Sequence, residues 1–277
     1  MNFPSIAKTV FSTGGNADNA AEVASIDLDR RFGSLSRLYG EAGALRVRRA
    51  HVIVIGIGGV GSWAAEAAAR SGVAKLTLID FDQIAESNIN RQVHALGDTV
   101  GQAKVVAMKE RIARINPMCE VVSVEEFADP DNWPVVAGLS DASDATVMGV
   151  IDACDQIKAK TAMAAWALSQ RVNFVSVGAA GGKRLAHKVD IDDLSVVTHD
   201  PLLAQLRYRL RKAHGAARVK KIGLTCVFSR EAVVHPAVGA CVDGSLNCHG
   251  YGSVVSVTAA FGVCAAGWVI GQIADGT

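Results

Sequence analysis

The chain has 277 residues, half of them hydrophobic, 20% charged and only 5% aromatic, enough for one large core or two small ones in an Ala-, Val- and Gly-rich α/β protein. A formal net charge of +1 leaves global electrostatics silent about partners, so recognition must rest on local clusters. Cys119, Cys154, Cys226, Cys241, Cys248 and Cys264 include no CxxC pair, which argues against a zinc knuckle or a dithiol redox centre and suits a reducing cytosol.

In chain order, residues 1–29 are small, polar and aperiodic, and are expected to be a mobile tail without the pattern of a secretory signal. Strands are expected at 51–55, 75–80, 120–124, 147–152 and 174–177. Helices are expected between them at 62–71, 103–115 (stopped by Pro117) and 158–170. This alternation gives right-handed βαβ units. The expected fold is α/β and Rossmann-like, a mainly parallel sheet flanked by helices, with a smaller mixed region at the C-terminal end. Residues 30–182 form the nucleotide-binding half; residues 183–277 hold a basic helix, a cysteine loop and an apolar helix. No charge occurs from Tyr251 to Ala274, a membrane-spanning length. Ser253, Ser256, Thr258 and four glycines make it instead a buried or dimer-interface helix.

The stretch VIVIGIGGVGSW, residues 52–63, ends a strand in GxGGxG and resumes as a helix. Gly56 permits the tight turn, Gly58 lets the backbone approach a phosphate, and Gly61 lets helix and strand pack closely. Asp80 then stands where an acid holds ribose hydroxyls. A dehydrogenase and an ATP-using enzyme share these features. The downstream residues separate them. Asn88, Arg91, Gln92 and Lys104 place two amides and two cations beyond the sheet edge, more than a dinucleotide needs and suited to a triphosphate attacked at its α-phosphorus. Asp152 and Asp155, at the end of a later strand, are candidates for a Mg²⁺ ligand. Taken singly, Arg91 reads as a surface charge and Asp155 as a helix N-cap; together and in order they favour ATP.

The succession GxGGxG, DFD, SNxNRQ, VGxxK and DxxDxxxxK resembles the E1-like adenylating superfamily, whose members activate a carboxylate as an acyl-adenylate. Within it, RFGSLSRLYG, NINRQVHALGDTVGQAK, HDPLLAQLRYRLRK and GLTCVFSREAVVHP are similar to the branch that cyclises threonylcarbamoyladenosine in tRNA. The likeness runs from about Arg30 to the C-terminus. It implies a homodimer that uses ATP and Mg²⁺, with tRNA as substrate. By position it implies nucleotide-site roles for Gly56, Gly58, Gly59, Gly61, Asp80, Asp82, Asn88, Arg91, Gln92 and Lys104, catalytic roles for Arg91 and Lys104, and a metal role for Asp155. It also leaves room for a monovalent cation and for a cysteine-desulfurase or sulfur-acceptor partner. Relatives that activate sulfur carriers usually carry two CxxC pairs, absent here, and supply an arginine across the dimer; Arg30, Arg31 and Arg37 are all candidates. The rival readings are activation of a sulfur-carrier or ubiquitin-like protein, a nicotinamide-dependent oxidoreductase and a sulfur-relay binding protein.

Cys241 and Cys248 lie in a Gly-flanked loop before the apolar helix, with His249 beside the second. The helix dipole and His249 would lower the Cys248 pKa, making it a candidate nucleophile or sulfur acceptor; the family's late loop carries a matching cysteine. Cys226 and Cys264 read as packing residues. From Pro201 to Ile222 the chain has no acid. Leu203, Leu206 and Leu210 share one helical face, so Arg207, Arg211 and Lys212 are expected to face outward, with Arg218, Lys220 and Lys221 beyond, as contacts to RNA phosphates.

Overall fold

The run HVIVI has no polar face, and such a strand is stable only when both faces are covered. It forms β1 (His51–Ile55), with Val52 to Ile55 buried, one strand in from the centre of a seven-stranded sheet. A computed structural model describes residues 27–139, 147–170, 172–234 and 251–277. The other strands are β2 (Lys75–Ile79), β3 (Glu120–Val124), β4 (Val147–Asp152), β5 (Asn173–Val177), β6 (Val189–Asp193) and β7 (Thr225–Ser229). The order is β3-β2-β1-β4-β5-β7-β6, parallel throughout except for the antiparallel pair β6–β7. The strand order reverses between β1 and β4, which opens a crevice above their C-terminal ends.

Seven helices accompany the sheet among the described residues: α1 (Leu28–Phe32), α2 (Ser34–Val47), α3 (Gly61–Arg70), α4 (Lys104–Ile115), α5 (Ile157–Ser169), α6 (Pro201–Ala213) and α7 (Val255–Asp275). Helices α3, α4 and α7 cover one face through Ala65, Met108, Phe261 and Val269. Helices α5 and α6 cover the other through Met163, Leu203, Leu206 and Leu210. The expected helices and strands are found within two residues of their predicted ends. Strands β6 and β7 extend the same sheet, so the basic helix α6 is the connection between these antiparallel neighbours. Asp27 caps α1 by accepting from the Arg30 N–H at 2.8 Å, so the chain is already helical at Leu28. The rest of the expected tail, residues 1–26, lies outside the described residues.

Helix α7 begins at Val255, inside the uncharged stretch, and is long and apolar enough to span a membrane by length and composition. Over half of its most apolar window is nevertheless buried in the protein. Gly262 sits against the Val60 carbonyl and Trp63 with no room for a side chain, which brings α7 onto the start of α3. The far end is latched by Arg46, whose guanidinium donates to the carbonyls of Ile273 and Ala274, complementing the negative end of the helix dipole.

Candidate functional site

The glycine turn is held from below. Gly56 has φ +82°, and an added Cβ would lie 2.9 Å from the Ala153 carbonyl oxygen, so only glycine fits the turn beside β4. Gly61 has no room for a side chain against the Gly56 carbonyl. Above the turn the situation reverses: a Cβ on Gly58 would meet nothing within 4 Å. That open space, at the N-terminal end of α3, fits a phosphate group.

Three further segments converge on the turn. Asp80 follows β2 and accepts from the N–H groups of Ile57 at 2.6 Å and Asp82 at 2.8 Å. Burial raises its pKa, with Lys104 and these hydrogen bonds opposing. Lys104 opens α4; its Nζ is 2.6 Å from Asp82 Oδ2 and 3.9 Å from Asp80 Oδ1. Its side chain is 4% exposed against 37% for Asp82, so Asp82 faces solvent while the lysine is held behind it. The NRQ segment crosses the start of α3, fixed by Trp63 Nε1 donating to the Arg91 carbonyl at 3.0 Å and by the Val93 N–H donating to Ser62 Oγ at 3.3 Å. The aliphatic stem of Arg91 lies against Gly59, whose Cβ would come within 3.2 Å of it. Its guanidinium donates to the Ser87 carbonyl at 2.7 Å and to Asn90 Oδ1 at 3.0 Å. Asn88 is buried and accepts from the Ala85 N–H. Gln92 is buried with its Oε1 unpartnered.

The acids after β4 have different fates. Asp152, a candidate metal ligand in the sequence, is unavailable. It is fully buried, 2.7 Å from Lys160 Nζ, and also accepts from Ser176 Oγ at 2.7 Å. Burial works most strongly against the Lys160 ammonium, but Asp152, through its charge and its hydrogen bond, together with Cys154 and Cys226 raises the lysine's pKa. Asp155 is exposed at the strand end, and Gln156, not Asp155, is the N-cap of α5. No group of three or more His, Cys, Asp and Glu among the described residues suits a metal. Asp155 fits a Mg²⁺ that takes its remaining ligands from phosphate and water.

Arg207 and Arg211 do not face outward as expected. Arg207 Nη1 donates to the Leu194 and Val197 carbonyls, both at 2.9 Å, and Arg211 Nε donates to the Ala217 carbonyl at 3.0 Å. The loops flanking α6 offer unpaired carbonyls within their reach, and buried carbonyls bind the nearest donors. Lys212 lies over the Tyr208 ring, while Arg218, Lys220 and Lys221 are exposed. The three candidate cross-subunit arginines, Arg30, Arg31 and Arg37, are all exposed, and Arg31 also donates to the Ile115 carbonyl. Cys241, Cys248 and His249 lie outside the described residues. Cys226 is fully buried as expected, and Cys264 is partly buried in α7.

His94 and Lys160 are buried beside the site without having been singled out, although Lys160 is the last residue of the DxxDxxxxK motif. His94 is 2% exposed, with neither ring nitrogen partnered. Burial first, then Lys104 and Arg111, lowers its pKa to about 4. Its signal was its position two residues beyond Gln92. For Lys160 the signal is its place as the closing lysine of DxxDxxxxK, on the otherwise small and apolar face of α5.

A protein of Escherichia coli K12, tRNA threonylcarbamoyladenosine dehydratase, is 42% identical over 248 residues, covering 85% of this chain and 90% of that one. The protein of that name from Haemophilus influenzae is 39% identical, covering 88% and 94%. The crystal structure of the E. coli enzyme in complex with ATP superposes with a TM-score of 0.78 at 40% identity, covering 88% of this chain and 94% of that one. The ThiF family matches residues 29–270, and the chain belongs to that family.

Proposed function

We propose that this protein is an ATP-dependent tRNA threonylcarbamoyladenosine dehydratase. It cyclises the threonylcarbamoyl group of a tRNA adenosine with release of AMP and pyrophosphate. The observation that carries this reading is the convergence of Arg91 and Lys104 on the glycine turn, in a chain 42% identical to an enzyme of that name. ATP is the co-substrate: transfer of its adenylyl group converts a carboxylate oxygen of the modified base into a leaving group.

The chain's own groups have these tasks. The turn at Gly56, Gly58, Gly59 and Gly61 receives phosphate through backbone N–H groups. Asp80 faces the ribose. Arg91 and Lys104 balance the charge that develops as pyrophosphate leaves. Lys104, paired with Asp82 in the free protein, exchanges that partner for phosphate oxygens, so ATP binding releases a carboxylate as it engages a cation. Asn88 holds the turn before Arg91 in shape by accepting from the Ala85 N–H, and Gln92 offers an unpaired amide oxygen. Asp155 holds Mg²⁺. Cys248 acts after adenylation or passes sulfur to a partner. A monovalent cation occupies the same region.

The protein works in the cytoplasm as a homodimer. The outward stripe of α7, with Val263 48% exposed and open space at Gly267 and Gly271, faces the second copy, and Arg30, Arg31 or Arg37 reaches across. Arg218, Lys220 and Lys221 hold tRNA phosphates. The test is pyrophosphate release from ATP with tRNA carrying the open base, followed by mass analysis of its nucleosides. Stimulation by that tRNA and appearance of the cyclised base are expected; stimulation by a sulfur-carrier or ubiquitin-like protein alone overturns the reading.

A further inference from the structure

A cavity of about 270 Å³ opens beside the C-terminal ends of β5 and β7, away from the glycine turn. Val197, Pro201, Ala204 and Val233 give it apolar walls, and Arg207 stands in one of them. The Arg207 guanidinium is pinned there by the Leu194 and Val197 carbonyls. It is therefore a fixed planar cation in an apolar wall, a surface suited to a flat, electron-rich ring. The two lips of the cavity are tied by a single side chain. Lys183 Nζ donates to the carbonyls of His199 at 3.0 Å and of Glu231 at 2.9 Å. His199 itself is held at φ 58°, a left-handed conformation costing a histidine roughly 1–2 kcal/mol. Strain of this kind persists only where neighbouring contacts impose it. Residues 197–200 form a strap along this lip, and Asp200 ties it to the chain just after β5 by accepting from the Ala179 N–H at 2.9 Å.

The spacing matches the substrate of the proposed reaction, on which this inference rests. From the crevice between β1 and β4 to the boundary of β5 and β7 is two strand spacings, about 10 Å. The carboxylate of a threonylcarbamoyl group is five bonds from the adenine N6, an extended reach of about 6 Å, and the purine extends as far again. With its carboxylate at the crevice, the base is carried over β5 and β7. We infer that this cavity receives the purine of the modified tRNA nucleotide, flipped out of a single-stranded loop, between the Arg207 guanidinium and the apolar walls. RNA-modifying sites commonly read an unstacked base in this way, by stacking in a fitted pocket.

The test fills the cavity. Ala204→Phe adds a ring from the exposed side of α6, and Thr198→Phe adds one from the strap opposite. Each is expected to melt and to bind ATP as the parent does, and to raise the KM for open-form tRNA on the order of tenfold or more, as for loss of one stacked base. The free threonylcarbamoyladenosine nucleoside should compete with tRNA in the parent and lose that competition in the variants. A parental KM in either folded variant, or equal competition in both, overturns the base site while leaving the enzyme reading intact. Absence of tRNA-stimulated pyrophosphate release in the parent would overturn both.

Discussion

Replacing Lys160 by Met removes the cation from a fully buried pair and leaves its partner behind. In the native protein Nζ is 2.7 Å from Asp152 Oδ2 and also donates to Ser176 Oγ and the Val177 carbonyl. At that separation the Coulomb attraction is about 6 kcal/mol with an effective dielectric constant of about 20. After the substitution Asp152 keeps only Ser176 Oγ at 2.7 Å and the Cys154 N–H at 3.3 Å, neither of which neutralises its charge. An uncompensated buried carboxylate of this kind costs about 3–5 kcal/mol, which lowers the melting temperature by about 10 °C in a domain of this size. The pair Asp152→Asn with Lys160→Met removes both charges and should return most of the loss. Chemical denaturation of the parent, both single variants and the double variant closes the cycle. A coupling energy below about 0.5 kcal/mol, the range found for independent sites, would refute the account of Lys160 as neutraliser of Asp152.

The two glycines of the turn should behave oppositely: Gly61→Ala collides with the Gly56 carbonyl and is expected to melt far below the parent. Gly58→Ala points into open space, so it should melt normally but bind ATP on the order of tenfold more weakly in calorimetry, since the methyl occupies phosphate space. His94 binds a proton more readily unfolded than folded, its pKa falling from 6.5 to about 4. Stability should therefore decline by up to about 3 kcal/mol as pH drops from 6.5 to 4, and denaturant melts of His94→Leu should lack that part of the pH dependence. Arg218, Lys220 and Lys221 replaced together by Ala should reduce the slope of log K for tRNA against log salt by about 2. Arg207→Ala, which frees two carbonyls, should lower stability by about 2 kcal/mol and leave that slope unchanged.

Elements whose period and boundary residues agree could be read from the chain directly. HVIVI could only be a covered strand, and PLLAQLRYRL could only bury Leu203, Leu206 and Leu210 as one stripe. The gathering of Asp80, Arg91 and Lys104 around the glycine turn was legible because their order and spacing are set by consecutive βα turns. What failed were assignments depending on a partner remote in sequence. Asp152 resembled Asp155 until Lys160 and Ser176, from a helix and a neighbouring strand, closed around it. Arg207 and Arg211 looked solvated because no pattern reveals that carbonyls of adjoining loops lie within their reach. Placing β7 between β5 and β6 was equally invisible, since it depends on the long connection through α6.

The close approach of Gly262 to Val60 links residues roughly 200 positions apart in the chain. During synthesis, the strand, turn and first helix of the nucleotide site emerge long before the helix that backs them. Until α7 arrives, the apolar flank of α3 around Trp63 and Ala64 is uncovered, and long-range closure of this kind is slow. ATP affinity thus reports on completion of the whole polypeptide, and a chain cut short before α7 carries the full glycine motif without the backing that shapes it.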